Sequence, residues 1–414
     1  MEKKNNLVAF MQAYLLSLGG INEAMGVLLN RNEGIMIINL IPIAGLIVLH
    51  FFTSDKNRDL NLDKKALLFV YYIVSIIVVY KYAYRKTTLR YEDVLTYILI
   101  PIYLSFYKVD VEKLLKYMVF ISALIVPFSG GIFNMTGAYR SSIGTTDTIG
   151  MSTTYNVLPF IVAAVLHFWY YRKNAGFLMW IGYGINVFYL FMAISYGNRG
   201  PIVALMALAF LLWLHKFDEN GKMKENKTRT VIITTIVGIG VIMLVYNFET
   251  VLISVNNWLN SMGISIAALT KSIQKINSGD LSNGREVIFK FTLEGIKENY
   301  LLGNGVASMY YRSFHMFPYP HNLFLQMWYD LGIIFSIPLV LVTVKTILSC
   351  VFRANITKQY AAALMFLFTI SIPRLCYSAE FWSIIPFWFL LMYFISPNIY
   401  EEQECEQPEN AEER

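Results

Sequence analysis

Arg199 lies in the stretch SYGNRGPIVAL (195–205), where it is followed by Gly200 and Pro201. Proline is favoured at the first position of a helix, so the sequence predicts a helix that begins at Pro201. The N-terminal end of a helix carries partial positive charge and free N–H groups, which makes a cation there unfavourable unless an anion lies between the two. Arg199 therefore indicates an anion site, above all for phosphate. The alternative is an interfacial arginine that reaches for lipid headgroups.

The same arrangement recurs at Arg285. The stretch LSNGREVIFKF (281–291) predicts a helix that Asn283 caps, with Glu286 completing a capping box. Arg285 then falls in the first turn, where an acidic side chain would be the electrostatic choice. An ion pair between Arg285 and Glu286 or Asp280 is the alternative explanation.

His321 is the third polar group of this kind. Pro320 predicts the start of another helix, which places His321 in its first turn. A helix N-terminus lowers the pKa of an imidazole and so favours its neutral form. Such a group can accept a proton from a sugar hydroxyl or donate a hydrogen bond to phosphate. A capping or interfacial histidine is the alternative, and the two arginines in similar positions favour a site.

The elements that must position these groups are membrane helices. Of 414 residues, 56% are hydrophobic and 15% are charged, and the mean hydropathy is +0.49. Soluble domains average about 25% charged residues. The fold class is therefore all-α, a polytopic membrane bundle. The net charge of +6 does not indicate nucleic acid, because the basic residues lie in short hydrophilic gaps. The three cysteines have neither paired nor metal-ligand spacing, and we expect no cofactor or metal.

Apolar segments long enough to span a membrane predict about twelve transmembrane helices. They lie near residues 7–29, 34–52, 66–81, 92–108, 115–133, 154–171, 176–196, 201–215, 230–248, 322–348, 359–375 and 381–397. An even number of spans puts both termini on one side, and the basic gaps make that side cytoplasmic. The gap from Lys81 to Arg90 disagrees, because this count puts its four cations outside.

Two segments fall outside the membrane on this topology, 134–153 and 249–320. The second is long and has helical pieces of its own, so we expect an extracytoplasmic catalytic loop between spans nine and ten. The domain prediction is a single transmembrane domain over 1–400 that includes this loop. An acidic cytoplasmic tail follows over 401–414.

This arrangement resembles the O-antigen ligase and O-antigen polymerase superfamily of bacterial glycan assembly. The resemblance is carried by S-x-G-N-R-G at 195–200, S-N-G-R-E at 282–286, G-N-G at 303–305, and P-H-N-x-F-L at 320–325 followed by Gly332. The order of these motifs and the long outer loop also fit. The match is convincing over about 195–345, and elsewhere topology alone supports it.

The resemblance implies transfer of an undecaprenyl-diphosphate-linked glycan to a sugar hydroxyl at the outer face of the bacterial cytoplasmic membrane. Arg199 and Arg285 would bind the diphosphate, and His321 would assist the acceptor hydroxyl or the phosphate. The supporting candidates are Asn322, Arg140, Tyr319 and Arg374. The implied partners are the lipid-linked oligosaccharide, membrane lipid and, optionally, a chain-length regulator protein, with no nucleic acid.

The chemistry agrees with these residue types. A polyprenyl diphosphate is already a good leaving group, so the site mainly needs charge stabilisation. Arginine supplies permanently charged, bidentate contacts to phosphate. The chain contains no D-x-D sequence, P-loop or metal-ligand cluster. These features predict a metal-independent glycosyltransferase.

Several functional alternatives stay open. A lipid-linked acceptor would make the protein a polymerase, and a lipid A core acceptor would make it a ligase. The Lys-, Asn-, Ile- and Tyr-rich composition favours the polymerase by association only. A lipid-linked oligosaccharide transporter is the main rival from another class, and Glu23 in the first span favours it. The clustering of the other polar groups at one surface favours the enzyme over a transporter, a receptor or a structural protein.

Overall fold

A computed structural model defines the fold. It describes residues 2–29, 41–49, 62–84, 89–125, 146–195, 199–215, 217, 248–263, 273, 285–353 and 356–399. This part of the chain is helical and contains no strand; an isolated bridge joins Val109 to Ile399. The all-α prediction is confirmed. The predicted tail over 401–414 lies outside the described residues.

The helices follow one another with short connections in most of the described chain. They are α1 (Glu2–Leu16), α2 (Leu18–Leu29), α3 (Lys64–Tyr84), α4 (Tyr91–Asp93), π1 (Val94–Leu99), α5 (Ile100–Ser105), α6 (Val111–Ile125), α7 (Thr146–Tyr171), α8 (Phe177–Ser195), α9 (Arg199–Leu214), α10 (Phe248–Ser261), α11 (Arg285–Glu298), α12 (Met309–Arg312), α13 (Leu323–Phe352), α14 (Lys358–Tyr377) and α15 (Ile385–Ile395). Residues 41–49 are also helical, and two 3₁₀ turns cover Arg172–Asn174 and Phe381–Ser383.

Three of the described helices, α3, α13 and α14, are long and apolar enough to cross a membrane. Shorter apolar helices cover Asn6–Leu16, Phe177–Ala193, Gly200–Leu214 and Ile385–Ile395. The chain is therefore a helical membrane protein. The count of about twelve spans stays a prediction. Almost all of the predicted ninth span, 230–248, lies outside the described residues, and the second is described only over 41–49.

Helix α14 lies in the middle of the bundle. Within its apolar window 78% of the residues are buried, against 33% in α3 and α13. It packs against α9, α15, α7 and α13. Arg374, near the C-terminal end of α14, is partly buried among these helices.

Helix α13 is interrupted by Gly332, whose φ of 62° is left-handed. Gly303, with φ 75°, packs directly on it, and a Cβ on either glycine would overlap the backbone of the other segment. At the break the Gly305 N–H donates to the carbonyl of Asp330 over 2.9 Å. The close approach needs two residues without side chains. It fixes the end of the loop to the first part of α13.

The C-terminal end of α3 lies beside the same loop. The hydroxyl of Tyr80 donates to the carbonyls of Leu302 and Leu331, the latter over 3.0 Å. The C-terminal end of α3 therefore lies on the same side of the bundle as the loop. The span count places the basic gap from Lys81 to Arg90 on that side too.

Candidate functional site

The sequence predicts a set of functional side chains. Most of those that the structure describes lie together at one end of the helix pair α13–α14. This region combines the turn before α13, the C-terminal end of α14, the first residues of α9 and α11, and an early turn of α7. Two predicted residues are not placed there. Arg140 lies outside the described residues, and Arg199 is described only as the first residue of α9.

His321 precedes α13 and does not lie in its first turn. The helix begins at Leu323 because Asn322 is its N-cap, and the Asn322 side chain accepts two hydrogen bonds of 3.1 Å from backbone N–H groups of the first turn. The predicted helix start at Pro320 is therefore wrong. Asn322 acts on the helix, while His321 stays in the turn before it.

The imidazole of His321 is held in a defined orientation. Its Nδ1 lies 3.2 Å from the carbonyl oxygen of Tyr377, and its ring centroid lies 4.4 Å from that of Tyr319. A carbonyl oxygen only accepts, so Nδ1 carries the proton and Nε2 of the neutral ring has a free lone pair. The backbone of His321 is left-handed (φ 56°), a strained conformation that is retained where the surroundings demand it.

The pKa of His321 lies below its usual value. Burial is the main cause and the charge of Arg285 adds to it, while the hydrogen bond to the Tyr377 carbonyl acts in the opposite direction. The direction is the one predicted, but the predicted helix N-terminus is not among these causes. The ring is therefore neutral at pH 7, with Nε2 unprotonated.

Arg374 is a cation without a counter-ion in the described part of the chain. Its guanidinium lies 5.0 Å from the ring centroid of Tyr155, and its Nε atom is buried with no hydrogen-bond partner. The titratable groups next to the guanidinium are the hydroxyls of Tyr155, Tyr319 and Tyr97. These hydroxyls are uncharged at neutral pH, so they do not neutralise the charge of Arg374. A largely enclosed guanidinium with unused donors is costly unless an anion binds to it.

Ser378 joins these elements into one surface. Its carbonyl accepts a 2.8 Å hydrogen bond from the Tyr319 hydroxyl, and its own hydroxyl lies 2.8 Å from that of Tyr155. Gly200 packs so closely on the Tyr155 hydroxyl that a Cβ there would overlap it. The N-terminus of α9, which begins at Arg199, therefore lies next to the tyrosines that surround Arg374. Helix α9 starts two residues before the predicted Pro201.

Arg285 is the first residue of α11, in agreement with its predicted place in the first turn. It is half-buried and makes no ion pair with a carboxylate among the residues that the structure describes, so the alternative pairing with Glu286 is not observed. Its charge acts on His321, Tyr155 and Tyr319. Asp280 and the predicted cap Asn283 lie outside the described residues.

Sequence reasoning missed several polar groups that the structure brings to this region. Tyr155, Ser378 and two carboxyls, Asp330 and Glu380, lie in apolar stretches. An ionisable group inside such a stretch is a sign of function, and Asp330 within the predicted tenth span carries this sign as Glu23 does within the first.

Glu23 itself lies in α2. Its carboxylate accepts a 3.2 Å hydrogen bond from Asn156, the residue after Tyr155 in α7. Glu23 therefore contacts α7 at the residue next to Tyr155, close to the part of the site that α7 contributes.

The described residues contain no group of three or more His, Cys, Asp and Glu side chains that could hold a metal ion. The polar groups that converge here instead comprise two guanidinium groups, one neutral imidazole, tyrosine hydroxyls and the start of a helix. Such a donor set suits a multiply charged anion with oxygen acceptors.

Comparison with known protein families gives a match over the middle part of the chain. The family model described as O-antigen ligase matches residues 184–339. This range runs from α8 into α13 and includes Arg199, Arg285 and His321, whereas Tyr155 and Arg374 lie outside it. Neither the curated proteins nor the solved structures include a match to the chain. The matched domain supports the resemblance to the O-antigen ligase and O-antigen polymerase superfamily over this part of the chain.

Proposed function

We propose that the protein is a glycan polymerase of the cytoplasmic membrane. It transfers an oligosaccharide from undecaprenyl diphosphate to a sugar hydroxyl of a second lipid-linked repeat unit. The observation that carries this proposal is the meeting of two arginines without a described counter-ion and a neutral His321 whose Nε2 is free. Members of the superfamily carry out glycosyl transfer. The identity of the donor, the identity of the acceptor and the independence from metal are parts of this proposal.

The diphosphate binds between Arg285 and Arg374, with Arg199 at the N-terminus of α9 as the third cation. Each guanidinium offers a planar fork of donors that matches two phosphate oxygens. An anion at this place also relieves the unfavourable approach of an arginine to a helix N-terminus. The three cations supply the charge stabilisation that a divalent metal supplies in other glycosyltransferases.

His321 acts on the acceptor. Its Nε2 accepts the proton of the sugar hydroxyl while that oxygen forms a bond to the anomeric carbon of the donor. The bond from this carbon to the diphosphate oxygen breaks, and its electron pair leaves with the diphosphate. The imidazolium so formed lies near Arg285, which favours rapid release of its proton to water.

The lipid donor explains the position of the site at a helix end. The phosphates of a polyprenyl diphosphate lie at the membrane boundary, and the site is built at the ends of the spanning helices α13 and α14. We place this end on the outer face of the cytoplasmic membrane, with both termini in the cytoplasm, from the distribution of basic gaps.

Ligation to lipid A core is the second candidate function, because the matching family model is described as O-antigen ligase. The donor contacts would be the same, and only the acceptor would differ. A transfer assay with both acceptors therefore separates the two functions.

The test is reconstitution of the purified full-length protein in liposomes with a purified lipid-diphosphate repeat unit and a metal chelator. A ladder of longer glycans is expected for a polymerase, and transfer confined to added lipid A core is expected for a ligase. Failure to transfer to either acceptor would refute the enzyme proposal, and a strict need for divalent metal would refute the role given to the arginines.

A further inference from the structure

A buried hydrogen-bond network lies directly behind the candidate site. Asp330 is 1% exposed, and its Oδ2 accepts hydrogen bonds from Trp382 Nε1 (2.8 Å), the Ala307 N–H (3.3 Å) and Gln326 Nε2 (3.5 Å). The same Gln326 amide nitrogen donates to Glu380 Oε1 over 3.3 Å. One side-chain amide thus bridges two carboxyl groups that come from different parts of the fold.

The network reaches the residues that orient His321. The side-chain oxygen Oε1 of Gln326 accepts from the Phe381 N–H over 3.3 Å, so both ends of this amide are bonded to the segment 377–381 at the end of α14. In the same segment, the carbonyls of Tyr377 and Ser378 accept from His321 and Tyr319. A movement of this segment would therefore turn the imidazole.

The two carboxyls do not both carry a charge at neutral pH. Neither forms an ion pair with a cation in the described chain. Asp330 is buried and Glu380 is partly buried, and two neighbouring carboxylates in such surroundings are costly without a cation. Asp330 accepts three hydrogen bonds from protein donors and is the better stabilised anion, which leaves the proton on Glu380.

The charges around Glu380 agree with this assignment. Burial is the main cause that raises the pKa of Glu380 to about 8, and the carboxylates of Asp330 on α13 and Asp93 on α4 add to it. From the turn before α13 the titratable group that faces Glu380 is the Tyr319 hydroxyl. Arg374 acts on the tyrosines rather than on Glu380.

We propose that Asp330, Gln326 and protonated Glu380 are positioning residues that hold the segment 377–381 and through it His321, and that ionisation of Glu380 sets an alkaline limit to activity. The proposal rests on the proposed function where glycosyl transfer is the readout, while the protonation of Glu380 can be measured without it. No step of the transfer itself involves these side chains.

The transfer assay across pH gives the first test. Glu380 is protonated below about pH 8 and ionised above it, so one unit higher about a tenth of the molecules keep the proton. Wild-type transfer should fall about tenfold between pH 7 and pH 9. Glu380→Ala should be impaired at every pH, because the bridge to Gln326 is lost. Glu380→Gln keeps a neutral group of the same shape, so it should restore transfer and remove the alkaline fall.

An infrared pH titration of the full-length protein in lipid vesicles gives the second test. A protonated carboxyl C=O band should disappear with a midpoint near pH 8 in the wild type and be missing in Glu380→Gln. If this band titrates while no glycan is transferred by any variant, the proposed function fails and the protonation of Glu380 stands.

Three outcomes would overturn the inference. The first is the absence of a titrating carboxyl band in the wild type. The second is a Glu380→Gln variant with the same alkaline fall as the wild type. The third is a Glu380→Gln variant as impaired as Glu380→Ala, which would mean that Glu380 acts as a carboxylate.

Discussion

The two ends of the helix pair α13–α14 each carry an arginine that lies over a tyrosine ring. At one end the Arg374 guanidinium lies 5.0 Å from the ring centroid of Tyr155, and at the other the Arg353 guanidinium lies 4.9 Å from that of Tyr360. Arg353 is exposed and donates to the Tyr360 hydroxyl over 2.8 Å. Arg374 has a buried Nε without a partner.

Each end also has a histidine that donates to a backbone carbonyl. His215 donates from Nε2 to the carbonyl of Cys350 over 2.6 Å, and it is 1% exposed. His321 donates from Nδ1 to the carbonyl of Tyr377 and is partly exposed, with Nε2 free. The enclosed ring ties α9 to α13, whereas the partly exposed one can meet a substrate.

The same residue types therefore build structure at one end and a candidate site at the other. What separates the ends is the state of the donors. Arg374 has a buried N–H donor without a partner, whereas Arg353 is exposed and donates to Tyr360. The Nε2 donor of His215 is satisfied as well. Unused donors next to accessible space favour an anionic ligand, while satisfied donors favour stability alone. Matched substitutions at the two ends test this difference, because only those at the candidate site should lower glycan transfer.

The largest effect is expected for the arginines of the site. Arg374→Ala and Arg285→Ala should each lower transfer by about 10²–10³-fold, because a charged contact to the diphosphate is lost. Arg199→Ala should do the same. Lysine at these positions should also fail, since a point charge does not replace the planar fork. Rates in liposomes, normalised to protein in the membrane, measure the effect.

Arg353→Ala is the matched control for Arg374→Ala. It removes an exposed arginine from an equivalent stacking contact, so transfer should stay within about twofold of the wild type. Equal losses in the two variants would show that Arg374 has a structural role only.

His321→Ala should lower the turnover number by about 10²-fold with little change in KM, because a base is lost and the donor contacts stay. The pKa of His321 is lowered, so the neutral form persists as pH falls below 6.5, the usual value, and activity should decline only at more acidic pH. His315 is the control: it also has a left-handed backbone (φ 69°) but is exposed outside the site. A normal rate in His321→Ala, or a loss in His315→Ala of the same size, would remove His321 from the mechanism.

Gly200→Ala should lower transfer by about tenfold, because the new methyl group pushes the start of α9 away from the Tyr155 hydroxyl. The control is Gly184→Ala in α8, where a Cβ meets nothing within 4 Å. Transfer rates and the amount of folded protein in detergent measure both variants. Normal transfer in Gly200→Ala would place the start of α9 outside the site.

The smallest effect is expected at the helix caps. Asn322 caps α13 next to His321, and Thr357 caps α14 at the other end with a 3.3 Å hydrogen bond from the Tyr360 N–H. Alanine at either position should lower the free energy of unfolding by about 1 kcal/mol. Only Asn322→Ala should also slow transfer, by a few-fold, because the turn of His321 loosens. Thermal unfolding measures the loss of stability, and transfer rates measured on the same samples measure the loss of activity. Equal transfer rates in the two variants would contradict the predicted role of Asn322 in holding His321.

The sequence predicts best what depends on local signals. The long apolar stretches identify α3, α13 and α14, and the place of Arg285 in the first turn of α11 follows from the polar residues around it. The start of α13 differs from the prediction because both Pro320 and Asn322 are start signals, and the helix begins after Asn322. The asparagine side chain satisfies two free N–H groups, which proline cannot do.

What depends on tertiary contacts could not be predicted. Tyr155 and Ser378 are 223 positions apart, and their hydroxyls meet only because α7 and α14 pack together. Arg374 is a supporting candidate from the resemblance alone, because an arginine near the end of a span usually reaches for the membrane surface and its position in the sequence indicates nothing more. Its significance comes from the tyrosines around it, and no spacing in the sequence reveals them.

The most direct test of the central claim is equilibrium binding of undecaprenyl diphosphate to the purified protein in lipid nanodiscs. We predict that Arg374→Ala and Arg285→Ala each weaken binding by at least about tenfold, as expected for the loss of one charged hydrogen-bonding group, and that Arg353→Ala binds like the wild type. Equal affinities for Arg374→Ala, Arg285→Ala and Arg353→Ala would contradict the account.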